Sequence, residues 1–63
     1  MDINANTPGV SKVPQAIVKA YRWERVAKFS QNSEKRVVVT LLSGVKVIWV
    51  YVNGGWKFDK LEG

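Results

Sequence analysis

Cysteine and histidine are both absent from the 63 residues of this chain. Without them the chain can form neither a disulfide framework nor the Cys and His zinc site that stabilises many folds of this size. A chain this short buries only about 60% of the surface that its unfolded form exposes. Its stability must therefore come from tight packing or from association with another chain.

Carboxylates are also scarce, with five Asp and Glu against ten Lys and Arg. Away from the chain ends they reduce to Glu24, Glu34 and Asp59. Catalysis needs a base, a nucleophile or a metal held in a cleft, and the missing Cys and His are common suppliers of these roles. The segment Asn53–Gly55 lacks the flanking pattern of a phosphate-binding loop. We therefore predict a binding module that is not an enzyme and that uses no metal and no cofactor.

Long hydrophobic runs are missing as well. The longest, residues 37–42 and 47–52, fall far short of the roughly 20 residues that span a bilayer. The opening Met1–Asn4 has neither the basic nor the apolar region of a signal peptide. We therefore expect a soluble, cytoplasmic protein with no membrane partner.

Positive charge is what the chain has in excess, with a net charge of +5. Asp2 and Glu62 lie near the chain ends, so the body between them is more basic than the total suggests. A basic surface favours polyanionic partners through Coulomb attraction and counterion release. A net charge of this size can also be present only to keep a small protein soluble. The positive charge therefore favours a nucleic-acid partner but does not by itself distinguish that explanation from solubility.

The first half of the chain combines a polar segment with a weakly amphipathic one. Residues 1–12 are rich in Asn, Thr, Pro, Gly and Ser and predict a flexible arm. Pro14 suits the first turn of a helix, and the residues after it are adequate helix formers. The helical pattern degrades near Glu24, and with period two the same stretch also fits a strand. For residues 14–29 we favour a helix and leave a strand open.

The clearest pattern is a β-hairpin in the second half. Residues 37–42 and 45–52 are dense in β-branched and aromatic side chains, and only Ser43-Gly44 separates them. That spacing predicts a hairpin with a two-residue turn. Asn53–Gly55 predicts a second turn, and the alternation in residues 56–60 predicts a short third strand.

Together these patterns predict an α+β fold, with one N-terminal helix packed on a three-stranded antiparallel β-meander. A single small basic domain spans residues 13–60, and residues 61–63 form a frayed tail. A small all-β barrel, SH3-like or OB-like, is the alternative, because one helix cannot cover both sides of the sheet.

The predicted two-residue turn decides which side chains share a face, since it sets Val38 opposite Trp49. The core side then carries an aliphatic set: Val37, Val39, Leu41, Ile48, Val50 and Val52. The other side has no helix to cover it and carries the candidate interface: Val38, Val47, Trp49 and Tyr51. Such a side is covered by barrel closure or by a homodimer, or it serves as a ligand platform.

The sequence allows two registers for the second hairpin. A two-residue loop at Asn53-Gly54 sets Trp56 opposite Tyr51 and Phe58 opposite Trp49. A three-residue loop that includes Gly55 moves both aromatic residues to the other side of the sheet.

The favoured function is a non-catalytic nucleic-acid-binding module, because cations that neutralise phosphates alternate here with rings that can stack on bases. The alternative is a protein–protein interaction module or small subunit that uses the uncovered apolar face, as a homodimer or on a larger partner. The candidate nucleic-acid-binding residues are Lys19, Arg22, Trp23, Arg25, Lys28, Arg36, Trp49 and Tyr51.

Overall fold

The computed structural model describes residues 3–63 and consists of short helices followed by four strands. A 3-10 helix spans Val10–Lys12 and α1 spans Gln15–Ala20. The strands are β1 (Val26–Ser33), β2 (Arg36–Leu41), β3 (Lys46–Val52) and β4 (Gly55–Glu62). They form an antiparallel sheet in the order β1-β2-β3-β4. The α+β class is confirmed, but the sheet has four strands, not the predicted three, and it is open, so it is not the barrel alternative.

The helix is shorter than predicted. α1 follows Pro14 and ends at Tyr21, whose φ of −114° and ψ of 22° leave the helical region. Ile17 and Val18 are its buried residues. Tyr21, Trp23, Val26 and Phe29 follow Ala20, and β-branched and aromatic side chains favour strands. Residues 14–29 therefore contain both of the structures weighed for them, first a helix and then the start of β1.

The first strand also takes up residues that predicted a polar connection. Ser30, Gln31 and Asn32 lie within β1, where they pair with β2 or, at Asn32, form a register irregularity. Only Glu34 and Lys35 remain as the turn between the two strands. These polar side chains are weak strand formers, so pairing with the strongly β-forming Val37–Val39 decides their conformation.

The turn between β2 and β3 has one residue more than predicted. The Leu41 amide donates to the Val45 carbonyl at 2.9 Å, and the Gly44 amide donates to the Leu41 carbonyl at 3.0 Å. Gly44 has a φ of 97°, the left-handed position of a three-residue hairpin. Leu42 joins Ser43 and Gly44 in the loop.

This extra residue changes which side chains share a face. Val37 pairs with Trp49 and Val38 pairs with Ile48, so the predicted pairing of Val38 with Trp49 is wrong. A slip of one residue moves every side chain of one strand to the opposite face relative to its neighbour. Val38 and Ile48 consequently lie on one side of the sheet, and Val37, Val39, Val47 and Trp49 lie on the other.

The second hairpin adopts the first of the two registers considered. Asn53 (φ 50°) and Gly54 (φ 81°) form a two-residue turn of the kind that needs two left-handed residues. Tyr51 pairs with Trp56, and Trp49 pairs with Phe58. Between Trp49 and Ile48 the register shifts so that Ile48 pairs with Lys60. Asp59 is the additional residue of this bulge.

The core lies between the helices and one side of the sheet, which we call the helix side. Its buried residues come from the helical segment and from three strands: Val13, Ile17, Val18, Tyr21, Val26, Phe29, Val37, Val39 and Val47. Val37 and Val39 thus lie in the core as predicted. Ile48, Val50 and Val52 alternate with Trp49 and Tyr51 along β3 and lie on the opposite side, which corrects their predicted place beside Val37.

The N-terminal segment packs along the outer edge of β1. The Asn4 side chain is buried, and its Oδ1 accepts a hydrogen bond from the Val26 amide. The Phe29 amide donates to the Pro8 carbonyl at 2.9 Å. A Cβ on Gly9 would lie 1.9 Å from the Phe29 carbonyl oxygen, so only glycine allows this approach.

The chain ends were predicted to be a flexible arm and a frayed tail, and their motion stays a prediction. Met1 and Asp2 of the arm lie outside the described residues. Leu61 and Glu62 of the predicted tail are the last residues of β4. No helix within residues 3–63 is long and apolar enough to cross a membrane.

Candidate functional site

The sheet has a second side that faces away from α1, which we call the open face. Strand alternation and pairing assign it residues from all four strands: Lys28, Ser30, Asn32, Arg36, Val38, Thr40, Lys46, Ile48, Val50, Val52, Lys57, Lys60 and Glu62. Its centre is a groove with a volume of about 220 Å³. Lys28 lines this groove from β1, Arg36 from β2 and Lys46 from β3.

Cations from every strand lie on the open face: Lys28, Arg36, Lys46, Lys57 and Lys60. Lys57 lies opposite Val50 and Lys60 opposite Ile48. Glu62, opposite Lys46, is the carboxylate that lines the groove. Among residues 3–63, none of these cations forms an ion pair. Their charges are therefore available to an external partner.

The floor of the groove is apolar but is not exposed. Ile48 is only 1% exposed although it lies outside the helix-side core. Its cross-strand neighbours on this face are Val38 and Lys60. Long basic side chains can bury their methylene stems along such a floor while their charged ends stay in water. The open face consequently presents charge above a sunken aliphatic layer.

Arg36 carries the one buried polar side-chain atom of residues 3–63 that has no hydrogen-bond partner, its Nε. The residue is half-buried at the end of the groove where β2 begins. A guanidinium group has five N–H donors in a planar fork that matches carboxylate and phosphate oxygens. The Nε itself is buried, so it is an unpaired donor beneath the surface of the groove and is not directly accessible to an external ligand.

The predicted nucleic-acid-binding residues do not form one surface. Lys28 and Arg36 lie on the open face, whereas Lys19 is exposed on α1. Arg22, Trp23 and Arg25 are exposed in the connection between α1 and β1. This connection leads into β1 at the end of the sheet where Lys28 lies.

Trp49 and Tyr51 lie on the helix side, away from those cations. The Trp49 Nε1 donates a hydrogen bond of 2.8 Å to the Tyr21 hydroxyl, and the two rings meet edge to face. Burial raises the pKa of Tyr21 above 10.0, although the Trp49 hydrogen bond acts in the opposite direction. Tyr51 packs edge to face on Trp56 at 5.3 Å between ring centroids. The role of Trp49 is therefore to join the sheet to the helical segment.

The predicted interface of Val38, Val47, Trp49 and Tyr51 is not one patch either. Val47 is buried in the core, and Val38 lies on the open face. Tyr51 is exposed at the end of β3, and the most exposed apolar side chains of the sheet are Phe58 (52%) and Leu61 (62%) on the helix side of β4.

Three open-face cations were missed by the sequence reasoning: Lys46, Lys57 and Lys60. Lys57 and Lys60 lie on a strand whose face depends on the second turn and on the bulge at Asp59, neither of which the alternation reveals. Lys46 was visible as a polar interruption of an aliphatic face, since it lies two residues before Ile48. Because residues two apart in a strand share a face, this alternation could have placed Lys46 beside Ile48.

Trp23 is the most exposed aromatic side chain of the described residues, at 80%. The Arg22 guanidinium carbon lies 4.8 Å from the centre of its ring. Such a cation–π contact modestly stabilises the position of an exposed ring. The pair therefore offers a flat apolar surface beside positive charge at the Lys28 end of the sheet.

Comparison with protein-family models, with curated proteins and with solved structures finds no match for this chain.

Proposed function

We propose that this chain is a non-catalytic module that binds the phosphate backbone of nucleic acid on its open face. The observation that carries the proposal is the convergence of Lys28, Arg36 and Lys46 from three strands on one groove. Cations arranged in this way neutralise phosphates and release their counterions.

The other polar side chains of the groove suit the same ligand. Ser30, Asn32 and Thr40 lie between the cations and can donate hydrogen bonds to phosphate oxygens. Protein interfaces instead concentrate exposed aromatic side chains at their centre. The aromatic rings of the sheet all lie on its other side, which favours nucleic acid over protein as the partner of the open face.

The predicted base stacking belongs, in this proposal, to Trp23. Its ring is 80% exposed and lies in the segment that leads to Lys28. Trp49, by contrast, is half-buried and bonded to Tyr21. A base stacked on Trp23 would contribute about 1 to 3 kcal/mol to the binding of a single strand.

The experiment compares two triple variants of equal net charge by oligonucleotide binding at low salt. The first replaces exposed lysines of the open face, Lys28→Gln, Lys46→Gln and Lys60→Gln. The matched control replaces exposed lysines elsewhere, Lys12→Gln, Lys19→Gln and Lys35→Gln. We expect the first variant to bind about tenfold more weakly or worse, for all sequences alike, and the control to stay close to wild type.

Two further measurements complete this test. Trp23→Ala should weaken binding to single strands and leave the folded state intact, because the ring is exposed. Circular dichroism of every variant checks that the sheet is retained. Equal weakening by the two triple variants, or no oligonucleotide binding by the wild type at low salt, would refute the proposal.

A further inference from the structure

The two edge strands of the sheet differ in whether another segment of the described chain covers their outer backbone groups. At β1 the N-terminal segment engages the outer backbone, because Pro8 accepts from the Phe29 amide and Asn4 accepts from the Val26 amide. At β4, within residues 3–63, no segment other than β3 pairs with the strand. β4 therefore presents one side of its backbone N–H and C=O groups over the length Gly55–Glu62. Such an edge is a template for pairing with another strand.

The side chains of β4 are complementary to themselves when the strand is reversed. The order from Lys57 to Glu62 is cation, aromatic, anion, cation, aliphatic, anion. In an antiparallel pair of two copies centred between Asp59 and Lys60, each lysine meets a carboxylate of the other copy. Lys57 lies opposite Glu62, Asp59 opposite Lys60, and Phe58 opposite Leu61. Opposite charges and apolar pairs placed directly across from each other stabilise antiparallel strands.

The bulge in β4 makes the Lys57–Glu62 and Phe58–Leu61 pairs consistent with the two faces of the sheet. Phe58 pairs with Trp49 and Leu61 pairs with Val47, so both lie on the helix side although they are three residues apart. Lys57 and Glu62 lie on the open face opposite Val50 and Lys46. Directly opposed residues of antiparallel strands share a face, and these pairs meet that condition.

The charges of β4 also differ from those of an edge strand that avoids pairing with other strands. Edge strands that avoid pairing commonly carry like charges, lysines above all. β4 carries two cations and two anions in mirrored order, so all four meet an opposite charge in this register, whereas like charges meet when the pairing shifts by one or two residues. Its apolar members, Phe58 and Leu61, are the large exposed apolar side chains of the strand.

We propose that two copies of this chain associate through antiparallel pairing of their β4 strands, with the two-fold axis between Asp59 and Lys60. The product is a continuous eight-stranded sheet whose two open faces lie on the same side. An isologous contact of this kind closes after two copies, because each β4 edge is then used. This pairing does not require the proposed nucleic-acid function, because the free edge of β4 and the order of its side chains are sufficient for it.

The test is a charge exchange at the symmetry axis, read by sedimentation equilibrium over a concentration series. Lys60→Asp alone sets two carboxylates opposite each other at both equivalent positions, and Asp59→Lys alone sets two ammonium groups opposite each other. We expect each to weaken the dimer about tenfold or more. The double variant Asp59→Lys with Lys60→Asp should restore the dissociation constant to near its wild-type value.

The matched control is Lys19→Asp, which changes the net charge as Lys60→Asp does but lies on α1. It should leave the dimer unchanged. A wild type that stays monomeric up to millimolar concentration overturns the proposal. Equal effects of Lys60→Asp and Lys19→Asp overturn it too, as does a folded double variant that fails to recover.

Hydrogen exchange of the wild type tests the same contact without any substitution. Amides on the outer side of β4 should become more protected as the protein concentration rises. The Val26 and Phe29 amides of β1 already have acceptors and should not respond. A protection pattern that rises with concentration along β1 and not along β4 would place the contact elsewhere and overturn the proposal.

Discussion

At the scale of single residues, the Tyr21 hydroxyl connects the helical segment to the sheet. It accepts from Trp49, a residue 28 positions along the chain, and its ring also packs edge to face on Phe29 at 6.4 Å. Burial is the main cause of its raised pKa, and the charge of Glu24 acts in the same direction. Ionised Tyr21 is therefore disfavoured in the folded state.

This raised pKa predicts a loss of stability in alkali. Below pH 10 the tyrosine is protonated in both states, so its contribution to the free energy of unfolding is constant. As the pH rises from 10 through the higher folded pKa, the unfolded chain loses the proton first, and the free energy of unfolding falls. We expect urea unfolding over a pH series to show a steeper alkaline decline for wild type than for Tyr21→Phe.

The same variant also removes the acceptor of the Trp49 N–H, which should cost about 1 to 2 kcal/mol at neutral pH. Tyr51→Phe is the matched control, because the Tyr51 ring is more exposed and its hydroxyl accepts no such bond from any of residues 3–63. It should retain the alkaline decline of wild type. Identical pH profiles for wild type and Tyr21→Phe would contradict the role assigned to burial.

At the scale of elements, the segment before the 3-10 helix closes the β1 edge through a few polar contacts. The Asn4 Nδ2 donates to the Tyr21 and Glu24 carbonyls, while its Oδ1 accepts from the Val26 amide. One side chain thereby satisfies backbone groups on both sides of the connection into β1. Buried backbone groups of this kind are costly when they lose their partners.

We therefore expect Asn4→Ala to lower the free energy of unfolding by about 2 kcal/mol or more, because it leaves buried donors and acceptors without hydrogen-bond partners. Urea unfolding followed by tryptophan fluorescence measures this change. Asn6→Ala, at an exposed asparagine in the same segment, is the control and should stay within about 0.5 kcal/mol of wild type. Equal effects of the two substitutions would contradict the account of the β1 edge.

At the scale of the whole molecule, the distribution of charge sets how binding should depend on salt. The chain has ten Lys and Arg, but only Lys28, Arg36, Lys46, Lys57 and Lys60 share the open face. If each neutralises one phosphate, the slope of log K against log salt is at most about −4.5 for a duplex and about −3.5 for a single strand.

The open-face variant with Lys28, Lys46 and Lys60 replaced by Gln should have a duplex slope that is shallower by about three units. Titrations of a short oligonucleotide over a salt series measure this slope. The control variant at Lys12, Lys19 and Lys35 should keep the wild-type slope. A wild-type slope near −9 per bound copy of the chain, which would require all ten of its cations, would contradict binding by one face.

The sequence by itself determines the chemical class of the molecule and most of its local structure. The absence of Cys and His, the positive charge, the helix after Pro14 and the two glycine-containing turns all follow from local residue properties. Strands β2 and β3 are predictable because β-branched side chains restrict the backbone wherever they lie. The two-residue turn at Asn53-Gly54 was among the registers that the sequence allowed.

Only the tertiary structure decides which side chains meet. Gly44 accepts the left-handed conformation of a three-residue turn, and the resulting shift sends Trp49 to Tyr21 and leaves Val38 with the cations. The polar half of β1 is a strand because β2 offers it a partner. An alternation of period two identifies a strand but does not reveal its register. Each strand can therefore be recognised locally, whereas the face on which its side chains lie depends on contacts that are distant in sequence.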